Sequence, residues 1–222
     1  MLTLPSDDMV AVALVEAIRG GDIGALRRLL DGHPGLAAAR LQSGKGTTRT
    51  PLHVVADWPA YFPNGPAVVH LLIGAGADPD APVTGGSHAE TSLHWAASSD
   101  DVDVASALIA GGANMEATGA SIAGGTPLDD AVGYGCWHVA RLLVERGARI
   151  ERLWHATGLG MMSRVEELLA GNPPPTPRDI NDTFWMACAG GQRRVVPSGK
   201  GSRHQLGPGL YQENTPRRGR RP

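Results

Sequence analysis

The stretch Thr91–Asn114 opens Thr91-Ser92-Leu93-His94-Trp95-Ala96-Ala97 and closes Ala107-Leu108-Ile109-Ala110-Gly111-Gly112-Ala113-Asn114. The opening returns upstream as Thr50-Pro51-Leu52-His53-Val54-Val55-Ala56 and downstream as Thr126-Pro127-Leu128-Asp129-Asp130-Ala131. The closing returns as Leu71-Leu72-Ile73-Gly74-Ala75-Gly76-Ala77-Asp78 and as Leu142-Leu143-Val144-Glu145-Arg146-Gly147-Ala148-Arg149. Successive openings are 41 and 35 residues apart. Two motifs that recur together at such a period mark a chain of stacked units, each burying its apolar face against its neighbour.

The residue types say what each unit is. A Thr hydroxyl can cap a helix start, and proline at the next position loses no helical hydrogen bond. Leu and small Ala residues then recur at helical spacing, giving one narrow face for close packing. A second helix carries the apolar doublet, and glycine follows where its C-terminus needs a positive φ. On these residues the sequence resembles the ankyrin-repeat family, from about Val10 to Val196. The resemblance implies an all-α solenoid of helix-turn-helix units with short hairpin loops. It further implies that His53 and His94 hydrogen-bond across the repeat turn, and that the stack binds protein through its concave face and loop tips.

Read in order, units fall at about 8–38, 46–82, 87–117, 122–150 and 151–174, with a partial sixth at 179–196. The first lacks the Thr-Pro opening and resembles a capping repeat: Leu14, Ala17 and Ile18 form one face, Leu26, Leu29 and Leu30 the other. Gln42–Arg49 reads as a polar loop between units. The second unit has an enlarged inter-helix turn, Trp58 to Pro66, whose three prolines forbid a continuous helix. The fifth follows almost at once, so its hairpin loop must be reduced. Its motif position carries Trp154 where other units carry His53, His94 and Asp129, which interrupts the polar ladder. Asn172-Pro173-Pro174-Pro175-Thr176-Pro177 reads as a linker, and the sixth unit begins at Asp182 with Phe184, Trp185, Ala187 and Cys188.

Residues 197–222 form a Gly/Arg/Pro-rich tail without period, expected to be disordered. From Gln192 on, seven Arg and one Lys face one Glu, a net +7. Association with nucleic acid or another polyanion is the functional reading of such an arm. A third reading comes from the codons. Reverse-translated and read one base later, Val196–Gly199 can become Tyr-Leu-Leu-Ala. The next codons can give Lys/Arg-Gly-Ala-Asp-Ile-Asn-Trp-Val-Pro-Gly-Tyr-Thr, and those ending at Gly219 can give Thr-Pro-Leu-Asp-Glu-Ala. The tail thus reads as a frame-shifted continuation of the repeats. A stack without its cap would expose an apolar face and tend to self-associate.

Composition narrows the function. A net charge of −2 over 222 residues argues for no nucleic-acid or membrane surface across the whole chain. The 2 cysteines, Cys136 and Cys188, lack CxxC spacing and suit a reducing compartment. Met1–Asp8 is polar and acidic, unlike a signal peptide, and no apolar run reaches membrane-spanning length. A cytoplasmic protein is expected. Arginine outnumbers lysine 18 to 2, a hint of a GC-rich, bacterial genome.

No catalytic constellation, cofactor motif or metal set stands out. Asp129 and Asp130 are helix neighbours pointing about 100° apart, so they make no acid/base dyad. Cys136 sits in a turn with no nucleophile motif around it. The structural positions are Thr50, Pro51, His53, Thr91, His94, Thr126 and Pro127. The partner-binding candidates are Trp58, Tyr61, Phe62 and Trp137 in inter-helix turns, Trp95 in a first helix, and Asp100 with Asp101 as an acidic rim. Aromatics in turns of a rigid scaffold make good anchors. The expected function is a non-enzymatic scaffold for an unidentified protein partner; a regulatory subunit of an enzyme complex is the alternative.

Overall fold

A computed structural model describes residues 2–171 and 173–191. Asp8 starts the first helix: its carboxylate accepts from the backbone N–H groups of Val10 (2.8 Å) and Ala11 (3.2 Å). Helix α1 then runs Met9–Gly20. Gly21 turns the chain in the left-handed region, and Asp22 caps α2, Ile23–Gly32, by accepting from Ala25 N–H at 2.8 Å. The pairs α3 (Pro51–Val55) and α4 (Gly65–Gly74), α5 (Ser92–Ser98) and α6 (Val102–Ala110), and α7 (Pro127–Gly133) and α8 (Trp137–Glu145) repeat this plan. Helices α9 (Leu153–Gly158) and α10 (Met162–Leu169) form a fifth pair, and α11 (Pro177–Ala189) stacks on α9.

Glycine is required at one place in the unit. Gly76, Gly112 and Gly147 follow α4, α6 and α8 with φ of 96°, 94° and 99°, where any side chain is strained. The left-handed residue lets the next N–H turn back on the helix. Ala77, Ala113 and Ala148 donate to the carbonyls of Leu72, Leu108 and Leu143 at 2.9–3.0 Å. This is the structural content of the recurring Gly-Ala.

First helices pack on first helices and second on second, so one core runs through the stack from Ala11 to Ala148. A smaller cluster around Leu153, Ala156 and Val165 continues it. Ala56, Ala96, Ala97, Ala131 and Ala156 are all fully buried. Their methyl groups let neighbouring helices approach closely.

Three details differ from the sequence reading. Gln42–Arg49 is no plain loop: β2 (Arg40–Gln42) and β3 (Thr48–Arg49) pair antiparallel, and β1 (Thr3–Pro5) joins β2 in parallel. Backbone pairing with the next connection continues at Thr48 and Thr84. The last helix begins at Pro177, not near Asp182. Thr176 accepts from Asp179 N–H (3.2 Å) while the Asp179 carboxylate accepts from Thr176 N–H (2.8 Å), a capping box that was read as linker. Trp137 is the first residue of α8, with Cys136 at the cap position. The tail 197–222, and residues 192–196 of the partial sixth unit, lie outside the described residues. Among the described residues no helix is long and apolar enough to cross a membrane.

Candidate interaction surface

The motif histidines are built into the scaffold. His53 Nδ1 accepts from Thr50 N–H at 3.2 Å and lies 2.8 Å from the Thr50 hydroxyl. Its Nε2 reaches the carbonyl of Glu90, in the next unit's approach, at 3.0 Å. A carbonyl only accepts, so Nε2 carries the proton and the ring is neutral. His94 repeats the arrangement with Thr91 (3.0 and 2.9 Å) and with Gly125 O at 3.4 Å. Burial lowers the pKa of His53 to about 4, against the opposing Glu90 bond, and lowers His94 as well. Both rings are spent tying one unit to the next. Among the described residues there is no group of three or more His, Cys, Asp or Glu that could hold a metal ion.

In unit four Asp129 takes the same place. Its carboxylate accepts from Thr126 N–H (2.7 Å) and the Thr126 hydroxyl (2.9 Å). Its other oxygen faces Arg152 at 2.5 Å and His155 Nε2 at 3.4 Å. Burial pushes this carboxyl up, but the approach of His155, the Thr126 hydrogen bonds and the Arg152 charge outweigh it and hold it low. The hydrogen-bonded ladder ends at Asp129: among the described residues His155 approaches Asp129, but neither of its ring nitrogens has a hydrogen-bond partner. Counted from the Arg152 cap, the third helical residue of unit five is the buried His155, and Trp154 packs edge-on against it. This first helix is one residue shorter than that of unit four, which hides the match in a linear alignment.

Asp130 points elsewhere. One of its oxygens accepts from the Ser121 hydroxyl and Ile122 N–H, both at 3.0 Å, which pins the loop before α7. Its other oxygen is buried with no hydrogen-bond partner. Burial raises the carboxyl to about 6, with Glu90 adding a like charge. Glu90 also receives Trp95 Nε1 (3.1 Å) and Ser121 N–H (3.2 Å), a bridging role the sequence did not suggest. Cys136 donates to Ser98 O at 3.3 Å; burial and the charge of Asp100 push its thiol up to about 11, so it is no nucleophile at neutral pH.

The inter-helix turns are where the candidate partner residues meet. Asp101 caps α6 through Val104 N–H (3.1 Å) and accepts Tyr61 N–H from unit two at 2.8 Å. At 1% exposure it cannot stand on an acidic rim. Asp100, left-handed at φ 55°, accepts from Val139 N–H (3.0 Å) and pairs with His138 at 2.7 Å. The expected rim is a strap joining units two, three and four. Its sequence, two adjacent acids at a helix start, looks the same in either role.

The aromatics divide. Tyr61 is held at its N–H by Asp101 and at its hydroxyl, which donates to Asp100 O at 2.6 Å, yet 64% of it is exposed. Trp58, beside it in the turn, is 79% exposed. Phe62 lies under the Arg19 guanidinium, 5.8 Å from the ring centre, and Asn64 donates to Gly21 O at 2.9 Å. Trp95 is half-buried, edge-on to His53 at 5.0 Å with Arg49 above it at 5.9 Å. Arg19 and Arg49 converge on Asp57 at 2.9 and 2.7 Å. Trp137 is half-buried, its ring close enough to Gly158 that a Cβ there would sit 3.0 Å from it. Tyr134, 55% exposed at the unit-four turn, was not singled out by sequence; its hydroxyl is 2.9 Å from that of Ser121.

Capped helix pairs, stacked in register and tied by a polar residue at the openings of units two to four, define a helix-pair repeat solenoid. The family model described as ankyrin repeats (3 copies) matches residues 59–153. Residues 59–153 of the chain are ankyrin repeats. No curated protein matches it. Ankyrin repeats generally mediate protein–protein interaction, and such domains are typically non-catalytic.

Proposed function

We propose that this protein is a non-enzymatic scaffold whose partner docks on the edge formed by the inter-helix turns of units two to four, with Trp58 and Tyr61 as anchors. The observation that carries this reading is the immobilised exposure of Tyr61. Both its polar groups are bonded to the next unit while 64% of the residue faces solvent. A ring fixed before binding loses little conformational freedom on association. Trp58 adds a larger apolar surface beside it, and exposed aromatics held by a rigid frame are the residues that dominate interface energies. Two unpaired cysteines support a reducing, cytoplasmic setting.

The test is affinity capture from the native host with the wild-type chain, Trp58→Ala and Trp95→Ala. Loss of a captured protein with Trp58→Ala alone, at unchanged thermal stability, is the expected result. Equal capture by all three chains removes the turn edge as the site.

A further inference from the structure

Among the described residues no further helix packs beyond α11 at the C-terminal end of the stack. In units three to six a large apolar side chain stands three residues before a buried alanine of the first helix. Leu93, before Ala96, and Leu128, before Ala131, are fully buried, and Leu153, before Ala156, is 6% exposed. Phe184, before the fully buried Ala187, is 40% exposed. On α11 Ile180 is 46% and Trp185 58% exposed, and on α10 Leu169 is 46% and Met162 37% exposed. Ile180, Phe184 and Trp185 fall at helical spacing on one side of α11. The inner helices owe their burial to two neighbours: α5, for example, packs on both α6 and α7. Exposed large apolar side chains gathered at one end of a stack mark an interaction surface.

The sequence names an occupant. Read from the second base of the Val196 codon, residues 196–219 can encode Tyr-Leu-Leu-Ala, then Gly-Ala-Asp, then Thr-Pro-Leu-Asp-Glu-Ala. Within this chain the same order is Leu142-Leu143, Gly147-Ala148 and, for an opening, Thr126-Pro127-Leu128-Asp129-Asp130-Ala131. The apolar doublet is the part of a second helix that packs on its own first helix and on the preceding second helix, here α11 and α10. The Gly-Ala-Asp ends such a helix, and the Thr-Pro-Leu-Asp caps the next. One matching codon set is cheap; three motifs in the order of the repeat, beside a face that no element of the described residues covers, are not. We infer that the outer face of α10 and α11 is the stacking surface for further ankyrin repeats of this same chain, encoded one base out of register with residues 197–222. The inference is independent of where a partner binds.

Two measurements test it. The nucleotide sequence from the codon of Gly190 onward must, in the shifted frame, be open and encode Leu-Leu, Gly-Ala-Asp and Thr-Pro-Leu in that order. A stop codon or unrelated residues there overturns the inference, whether or not any continued chain folds. The second compares the 222-residue chain with the chain continued in the shifted frame, by hydrogen exchange and mass spectrometry over residues 177–189. Covering the face should slow exchange in α11 by about tenfold or more, and Phe184→Ala in the continued chain should reverse part of that gain. Equal exchange in both chains overturns the inference. So does slowing of α11 on concentrating the 222-residue chain with no gain from the continuation, which makes a second copy the occupant.

Discussion

Replacing Asp101 by alanine removes two hydrogen bonds at the point where units two and three meet. One is the cap of α6, the carboxylate accepting from Val104 N–H at 3.1 Å. Loss of such a cap costs about 0.5–2 kcal/mol. The other is the bond from Tyr61 N–H at 2.8 Å. Asp101 is 1% exposed, so its removal leaves a donor facing a site that water reaches poorly. An unsatisfied donor of that kind costs about 1–3 kcal/mol. Together the loss is about 1.5–5 kcal/mol, and at roughly 2–4 °C per kcal/mol for a chain of this size the melting temperature falls by about 3–20 °C. Asp101→Asn separates the two parts. Its amide oxygen can still cap Val104, while its NH₂ group meets the Tyr61 N–H donor to donor, so about half the loss should remain. The assay is thermal and urea unfolding followed by circular dichroism, with Tyr61→Phe as a control that keeps the backbone bond. If Asp101→Ala unfolds within about 0.5 kcal/mol of wild type, the range of an ordinary surface change, Asp101 belongs to a solvated rim and the strap is wrong.

Two further predictions concern protons. Asp130 is raised to about 6 in the folded chain from 3.8, so the folded state holds a proton that the unfolded state has lost, and stability falls as pH rises from about 4 to above 6. Asp130→Asn should therefore be near neutral at pH ~4.5 and stabilising by about 1–3 kcal/mol at pH ~7.5, read by urea unfolding at both values; a pH-independent effect rejects the buried-charge account. His53 moves the other way: with a folded value of about 4 against 6.5 unfolded, its contribution is intact above 6.5 and is lost as pH falls toward 4. The imidazole resonances of His53 in a pH titration by NMR should stay those of the Nε2–H tautomer to about pH 5; titration near 6.5 contradicts the burial and the Glu90 bond.

What was legible in the sequence is what repeats. Thr50, Thr91 and Thr126 with Pro51 and Pro127 mark helix starts by capping chemistry, and Gly76, Gly112 and Gly147 mark helix ends because only glycine takes that backbone without strain. Such signals are local, so a linear reading finds them, and their recurrence fixes the helix pairs and the order of stacking. His155 was missed because a helix one residue shorter breaks the register of the motif, and Thr176-Pro177 was taken for linker because the prolines before it argue against a helix. Tertiary structure alone decided the roles of side chains at unit boundaries. Asp100 and Asp101 read as surface acids, yet their partners Val139 and Tyr61 stand 39 and 40 residues away, and Glu90, which carries no motif, bonds Ser121 across 31 residues. Asp129 and Asp130, adjacent and alike in sequence, part because one faces Thr126 and Arg152 and the other a closed loop. Whether Tyr61 or Trp137 is displayed or covered depends on what the next unit places against it, and no local pattern records that.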